Sequence, residues 1–222
     1  MDDGSRDATA TIARACAARH PQVRLLQHAG NRGKGAAVRT GMLAAQGKLI
    51  GFSDADLSVP VDDIERLFRQ LEQGAQAVIA SRTLRESVLV VPPSPVRHLL
   101  SRSFNRIVRT LFALPYRDTQ CGLKGFQRHV AHAIFSQTQI DGFAFDVEVL
   151  LLAQQLGYAV DEMAVRFDNP RRNSVRLEAH TGAICRNLWK IHQRRRTARD
   201  ARHQTTDERH ETVPVAAEER AS

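Results

Sequence analysis

The spacing of apolar residues over positions 1–82 alternates between a helical period and short apolar runs. Residues 8–20 carry apolar side chains at helical spacing behind Asp7, a residue type that often caps a helix. The run at 49–54 is short, apolar and typical of a buried strand. The predicted elements of this part are helices at 8–20, 33–47 and 60–74 and strands at 23–28, 49–54 and 77–82. Strands and helices alternating over short connections predict an α/β fold with a mostly parallel sheet, flanked by helices on both faces.

After residue 82 the pattern becomes less regular. Residues 83–95 contain three prolines, which predict a mobile loop. The later predicted elements are helices at 96–113, 128–135, 146–156 and 178–193, an irregular stretch at 116–126, and one long strand or a strand pair at 159–169. From residue 194 onward charges of both signs lack periodicity, which predicts a disordered charged tail over 194–222. Residues 1–193 are then one domain.

Composition narrows the class of protein. The formal charge is +8, carried by 28 arginines and only four lysines, which either favours phosphate-rich partners or reflects base composition. Aromatic residues make up 5% and are not interleaved with a basic stripe, so we expect no nucleic-acid partner. Three widely spaced cysteines are typical of a reducing compartment. We see no signal peptide and no apolar stretch of roughly 18 residues that would span a bilayer.

Two carboxylates follow the predicted strand at 49–54. Asp54 and Asp56 lie at its carboxyl end, where open α/β sheets bind ligands. Carboxylate oxygens one residue apart can hold a hard divalent ion and leave coordination positions for diphosphate oxygens. The alternative is a pair of solvated acids in a turn. The sequence around this pair favours the metal site.

Two further segments indicate the same edge of the sheet. The segment NRGKGAAVRTG at 31–41 places Lys34 at a helix start, where phosphate groups bind favourably, although a solvated lysine beside a tight glycine turn is the alternative. The segment DDGSRD at 2–7 places Asp2 and Asp3 where they would hydrogen-bond a base or ribose. We therefore predict Lys34, Asp2 and Asp3 as substrate-binding residues.

In this order, the segments DDGS, NRGKG and DAD resemble the family 2 glycosyltransferases, which have a GT-A fold. The later segments RDTQCGLKGF (117–126), GFAFDVEVLLLAQQLGY (142–158) and VDEMAVRF (160–167) look like the branch that makes polyprenyl-phosphate sugars. The resemblance covers about residues 2–193. It implies a nucleotide-diphospho-sugar transferase-like sheet flanked by helices.

The resemblance also implies roles for individual residues. Asp2 and Asp3 would contact the nucleoside, and Asp54 and Asp56 would bind the metal and the donor diphosphate, with Asp56 the direct ligand. Arg82 would face the phosphates. The implied catalytic residues are Asp118, Arg82 and Gln120, and the implied substrate-binding residues further include Arg117, Asp146 and Glu148.

The implied reaction is the transfer of a hexose, with glucose favoured, from a nucleotide-sugar such as UDP-glucose to a polyprenyl phosphate. The acceptor is already anionic, so attack on the anomeric carbon needs no strong base. Mg²⁺ or Mn²⁺ would stabilise the leaving diphosphate, and one displacement would invert the anomeric centre. A lipid acceptor places the protein at the membrane surface, peripheral on the cytoplasmic face, with the basic segment 186–196 as a contact. Trp189 in that segment is interpreted as a core residue, with a membrane-facing position as the alternative.

Two other readings stay open. A phosphatase of the haloacid dehalogenase type also uses a strand followed by Asp-x-Asp, but it requires that strand to come first. A truncated or inactive nucleotide-sugar-binding remnant without catalysis is the second reading, because the family pattern places a β-α-β segment before the Asp-Asp pair and residues 1–222 lack it. The upstream reading frame would distinguish a late start from a degraded copy.

Overall fold

The computed structural model describes residues 1–91, 95–168 and 182–194. Its helices are α1 (Thr9–Arg19), α2 (Lys34–Ala44), α3 (Val61–Glu72), α4 (Pro95–Phe112), α5 (Arg128–Phe135), α6 (Phe145–Gln155) and α7 (182–194). Its strands are β1 (Leu49–Phe52), β2 (Ala77–Ser81), β3 (Val88–Leu89), β4 (Lys124–Gln127), β5 (Val160–Ala164) and β6 (Arg166–Phe167). The α/β class and the order of most predicted elements are confirmed.

The main sheet is mixed, with the strand order β1-β4-β2-β5. Strands β1, β2 and β5 run in one direction, and β4 lies antiparallel between β1 and β2. The prediction of an irregular stretch over 116–126 missed the start of β4. Its sequence, Lys-Gly-Phe-Gln, has no β-branched residue and begins with a charge, so propensity gives no strand signal. Long-range pairing on both sides creates this strand.

Three other predictions change in the structure. Within the predicted strand at 23–28, only Gln27 forms a bridge, parallel to Asp2, through hydrogen bonds from Asp2 N to the Leu26 carbonyl and from His28 N to the Asp2 carbonyl. The predicted loop at 83–95 is not wholly irregular, because β3 pairs in parallel with β6; residues 92–94 lie outside the described residues. For the segment predicted at 159–169 as one long strand or a strand pair, the structure has the pair, β5 and β6. Position 169 lies outside the described residues.

The last helix and the tail also differ from the prediction in part. Helix α7 covers 182–194, so residue 194, the first residue of the predicted tail, is helical; positions 178–181 and 195–222 lie outside the described residues. Trp189 is 61% exposed, so its interpretation as a core residue is wrong. In the part of the chain described, none of the helices combines the length and apolar character needed to cross a bilayer.

Two apolar clusters cover the two faces of the sheet. The larger one includes Phe126, Phe135 and Phe145, and the smaller one includes Leu67 of α3. Gly125 faces α3, and a Cβ there would lie 2.2 Å from Leu67 Cδ2, so β4 approaches α3 more closely than a larger residue allows. Side chains alternate along a strand, so Lys124 shares the face of Phe126. A lysine is thereby placed inside the larger apolar face.

Candidate functional site

The direction of β4 brings the loop 118–122 to the ligand-binding edge of the sheet. Because β4 runs antiparallel to β1 and β2, its amino end lies beside their carboxyl ends. Asp54 follows β1, Arg82 follows β2, and the loop precedes β4. The sequence segments around these three positions therefore meet in space.

Asp118 and Arg82 form a bidentate ion pair. Arg82 Nε lies 2.7 Å from Asp118 Oδ2 and Nη2 lies 3.0 Å from Oδ1, while the Arg82 and Gln120 backbone N–H groups also donate to this carboxylate. Burial would raise the pKa of Asp118, but the Arg82 guanidinium outweighs it and holds the pKa below its usual range. The guanidinium also lies over the Phe167 ring, 5.2 Å from its centroid. The pair fixes an oriented cation at the edge of the site.

The loop beside this pair is held by two residues that the sequence analysis missed. Glu162 on β5 accepts hydrogen bonds from the backbone N–H groups of residues 117 and 118. Asn105 on α4 accepts from Thr119 N and Oγ1 and donates to the carbonyl of residue 117. A signal for Asn105 was present, because it lies at i, i+3, i+7 spacing with buried Val108 and Phe112. An amide on an apolar helix face has to find polar partners.

Lys34, Asp54 and Gly122 lie in contact. Lys34 Nζ is 2.6 Å from Asp54 Oδ1, and the side chains are 27% and 38% exposed. A Cβ on Gly122 would lie 2.1 Å from Asp54 Oδ2, so only glycine leaves room for the carboxylate in this position. At the start of α2, Gly35 N and Ala36 N donate to the Asp141 carbonyl. The anion-binding capacity of this helix end therefore rests on the Lys34 ammonium.

Asp56 is exposed, and its Oδ1 accepts a hydrogen bond from Ser58 N at 3.0 Å. Across the described residues, no three or more His, Cys, Asp or Glu side chains cluster closely enough to hold a metal ion. Two carboxylates nevertheless fit Mg²⁺ or Mn²⁺, since such ions are commonly held by one or two carboxylates and completed by substrate phosphates. Asp56 has lone pairs facing solvent, whereas Asp54 is engaged by Lys34.

Asp146 lies at the first turn of α6 and pairs with Lys124 behind the loop. Lys124 Nζ is 2.5 Å from Asp146 Oδ1 and 2.7 Å from the Cys121 carbonyl oxygen, and both side chains are buried. Burial raises the pKa of Asp146, and the nearby Lys124 and Lys34 ammonium groups offset only part of this rise. The pair joins α6 to the amino end of β4.

Glu148 lies farther from these groups than the sequence suggests. Its Oε2 accepts hydrogen bonds from Gln139 N at 3.0 Å and Ile140 N at 2.8 Å, and Arg194 Nη1 lies 3.4 Å from Oε1. Burial raises the pKa of Glu148, and the two backbone N–H groups reduce that rise. The structure places Glu148 under the loop on which the start of α2 packs, rather than beside Asp54.

Asp3 lines an open groove, whereas Asp2, the residue before it, is buried. Asp3 Oδ1 lies 2.7 Å from His28 Nδ1, and its oxygens also accept from Arg32 N and Gly33 N. Burial would raise the pKa of Asp3, but these partners lower it below the usual value. Asp2 accepts from the Ser5 N–H and hydroxyl groups. The groove, about 880 Å³, is lined by Asp3, Gly4, Ser5, Arg6, Gln27, His28, Ala29, Gly30 and Asn31. Arg117 is exposed, and its backbone rather than its side chain makes the contacts described above.

Solved structures define the class of fold. Glucosyl-3-phosphoglycerate synthase from Mycobacterium tuberculosis, in complex with UDP, superposes with a TM-score of 0.58 at 19% identity, covering 86% of this chain and 66% of that chain. The same enzyme with Mn²⁺, UDP-glucose and phosphoglyceric acid gives a TM-score of 0.57 at 19% identity, covering 86% and 65%. The fold is that of the GT-A glycosyltransferases.

The family follows from the sequence comparison. Residues 1–135 match the model of glycosyl transferase family 2, and the chain belongs to that family. It is similar to the dolichyl-phosphate beta-glucosyltransferases of Drosophila melanogaster, with 38% identity over 175 residues, and Homo sapiens, with 35% identity over 175 residues. Each alignment covers 75% of this chain and 54% of the relative. The chain thus spans about half the length of the curated relatives it matches.

Proposed function

We propose that the protein transfers glucose from UDP-glucose to a polyprenyl phosphate of the dolichyl type, with inversion and with a divalent metal. The observation that supports this most strongly is the meeting of Asp54, Lys34, Gly122 and the Arg82–Asp118 pair at one edge of the sheet. Two cations, Lys34 and Arg82, and the Asp54 carboxylate lie along that edge, and Asp56 follows Asp54 by two residues. The curated relatives carry the name dolichyl-phosphate beta-glucosyltransferase, and one structural neighbour holds Mn²⁺ and UDP-glucose.

The donor would lie along the edge from the groove to the loop 118–122. Asp3 would meet the nucleoside in the groove, although its oxygens already accept hydrogen bonds from His28, Arg32 and Gly33. Asp2 is buried, so reaching the nucleoside would require it to give up its bonds to Ser5. Asp56 with Asp54 would hold Mg²⁺ or Mn²⁺. When bound, that ion supplies positive charge against the leaving diphosphate. Lys34 contributes a further cation to the same phosphates.

In the reaction, an acceptor phosphate oxygen forms a bond to the anomeric carbon while the bond from that carbon to the diphosphate oxygen breaks. No proton has to be removed from the acceptor, because a phosphate monoester is ionised at neutral pH. Asp118 orients Arg82 through two parallel hydrogen bonds, so the guanidinium is set before the acceptor arrives. The loop residue Gln120 is placed next to this pair by its own N–H bond to Asp118.

A lipid acceptor requires contact with a membrane surface, and α4 and α7 present a suitable one. Leu99, Leu100 and Ile107 are 66%, 56% and 61% exposed, and the exposed arginines of α4 include Arg102 and Arg106. On α7, Trp189 is exposed beside Lys190. Exposed apolar and basic side chains together favour an anionic lipid interface. We infer peripheral attachment at the cytoplasmic face.

The test is transfer of labelled glucose from UDP-glucose to polyprenyl phosphate in the presence of Mn²⁺ or Mg²⁺. We expect a lipid-linked product whose formation is lost with chelator and in Asp56→Asn. Failure to make lipid-linked sugar from any UDP- or GDP-sugar would overturn the proposal. If UDP binding persisted under those conditions, the non-catalytic nucleotide-sugar-binding alternative would stand instead.

A further inference from the structure

Among the described residues, three ion pairs surround the loop 118–122 and Asp54, and they differ in how accessible they are. The Lys124–Asp146 side chains are 0% and 5% exposed, and Asp118 in the Arg82 pair is fully buried. Both members of the Lys34–Asp54 pair reach solvent, at 27% and 38% exposure. Breaking a buried pair leaves an uncompensated charge, whereas a partly exposed pair separates at small cost. Lys34–Asp54 is the pair of these three that can exchange its partner.

The backbone around Lys34 is fixed, so exchange requires movement of the side chain alone. Gly33 N donates to Asp3 Oδ2 at 2.8 Å, and Gly35 N donates to the Asp141 carbonyl at 2.7 Å. Between these two anchors, the lysine stem with its rotatable methylene groups carries a compact ammonium charge. The ammonium can therefore leave Asp54 without any change in α2.

Lys34 and a bound divalent ion would compete for the same Asp54 oxygen. Lys34 Nζ lies 2.6 Å from Oδ1, and Oδ2 faces the backbone at Gly122. A divalent ion bound to Asp54 and Asp56 would lie close to the Lys34 ammonium and repel it electrostatically. We propose that Lys34 is an exchangeable cation, an inference that rests on the proposed function. Lys34 neutralises Asp54 in the protein without donor, and its ammonium moves to the donor diphosphate when the metal binds the Asp54 carboxylate.

This exchange predicts opposite effects on the two ligands when the lysine charge is removed. Metal alone must displace Lys34, so Lys34→Met should bind Mn²⁺ about two- to fivefold more tightly than wild type, the range expected for losing a partly exposed ion-pair competitor. The nucleotide gains Lys34 as a phosphate contact, so the affinity for UDP at saturating Mn²⁺ should fall about tenfold or more, as for a charge-assisted hydrogen bond. A merely structural lysine would not shift the two affinities in opposite directions.

The experiment measures Mn²⁺ binding without nucleotide by the electron paramagnetic resonance signal of free Mn²⁺, and UDP binding with Mn²⁺ by calorimetry. Lys48→Met is the matched control, because exposed Lys48 precedes β1 at the strand end opposite Asp54. It should change either affinity by less than about twofold, since a β1-length separation exceeds the screening distance. Lys34→Arg keeps the charge and should behave like wild type in the Mn²⁺ titration.

A second measurement needs no variant. Acylation of wild-type lysines, read by mass spectrometry, should rise at Lys34 when Mn²⁺ is added and fall again with UDP, while Lys48 stays constant. Unchanged or weaker Mn²⁺ binding in Lys34→Met, or Lys34 labelling indifferent to Mn²⁺, overturns the exchange but leaves glucosyl transfer standing if lipid-linked sugar is made. Absence of any Mn²⁺ binding that depends on Asp56 overturns both.

Discussion

Substituting Gly122 with alanine separates the function of the site from the stability of the fold. The added Cβ would lie 2.1 Å from Asp54 Oδ2 and 2.3 Å from its Cγ, whereas Cβ atoms keep such neighbours at 3.0 Å or more. The Asp54 carboxylate must therefore shift by about 1 Å, the difference between those two distances. Displacements of this size at a reacting centre can cost about 100-fold in rate.

The same substitution should hardly affect folding. Gly122 is not among the glycines with positive φ, so alanine adopts its backbone conformation without strain. The atoms in the way belong to the end of a partly exposed side chain that can move aside. We expect the free energy of unfolding to change by less than about 1 kcal/mol. Gly41→Ala is the matched control, because its Cβ would meet only Met1 Cβ at 3.9 Å.

The assay compares urea unfolding with glucosyl transfer for wild type, Gly122→Ala, Asp54→Asn and the double variant. If Gly122→Ala acts by displacing Asp54, its effect on transfer should nearly vanish in the Asp54→Asn background. Additive losses in the double variant, or full activity in Gly122→Ala, would refute the reasoning. Activity lost together with several kcal/mol of stability would also contradict it.

Three further substitutions test the charged groups. Asp118→Asn should lower the free energy of unfolding at pH 7 by about 3–5 kcal/mol, because Arg82 loses its buried partner. The pKa of Asp118 in the fold lies below 3.8, so the stability advantage of wild type exists above that pH. In urea titrations the advantage should shrink as the pH falls below 3.8. Glu148→Gln should show the opposite pH dependence of stability, because the raised Glu148 pKa stabilises the fold below pH 4.5 and that contribution is lost as the pH rises. The free energy of unfolding of the variant should therefore increase relative to wild type between about pH 4 and pH 7. A difference that does not change with pH contradicts the direction of the pKa shift. Asp56→Asn should abolish Mn²⁺ binding while the melting temperature changes little, since an amide oxygen still accepts the Ser58 N–H; retained Mn²⁺ binding removes Asp56 as a ligand.

Much of the site edge was predictable from local sequence. The apolar run ending before Asp54, and the strand ending before Arg82, place both residues at carboxyl ends of strands that share one direction. Apolar periodicity reports which face of an element is buried, so strands and helices of ordinary length emerge from it. The α/β class followed from the same pattern.

The hydrogen-bond and ion-pair partners of the charged residues around the site were not predictable from local sequence. The resemblance implied that Asp146 and Glu148 bind substrate. In the structure Asp146 pairs with Lys124, and Glu148 accepts hydrogen bonds from the backbone at 139–140. Whether a carboxylate faces a ligand or a buried lysine depends on residues far away in the chain. Glu162 was missed for the same reason, because the backbone N–H groups that donate to its carboxylate lie 44 and 45 residues earlier.

The sequence by itself determined the helices, the strands β1, β2 and the β5–β6 pair, their order along the chain and the acids that follow β1, because these depend on side chains within a few residues of each other. The tertiary structure decided that β4 runs antiparallel between β1 and β2, since its own residues have weak strand propensity and gain their hydrogen bonds only from distant neighbours. That one pairing carries the loop 118–122 to Asp54, and it explains why Gly122 must lack a side chain. It also turns Lys124 inward to Asp146, so the charges of the site are set by strand order rather than by any local motif.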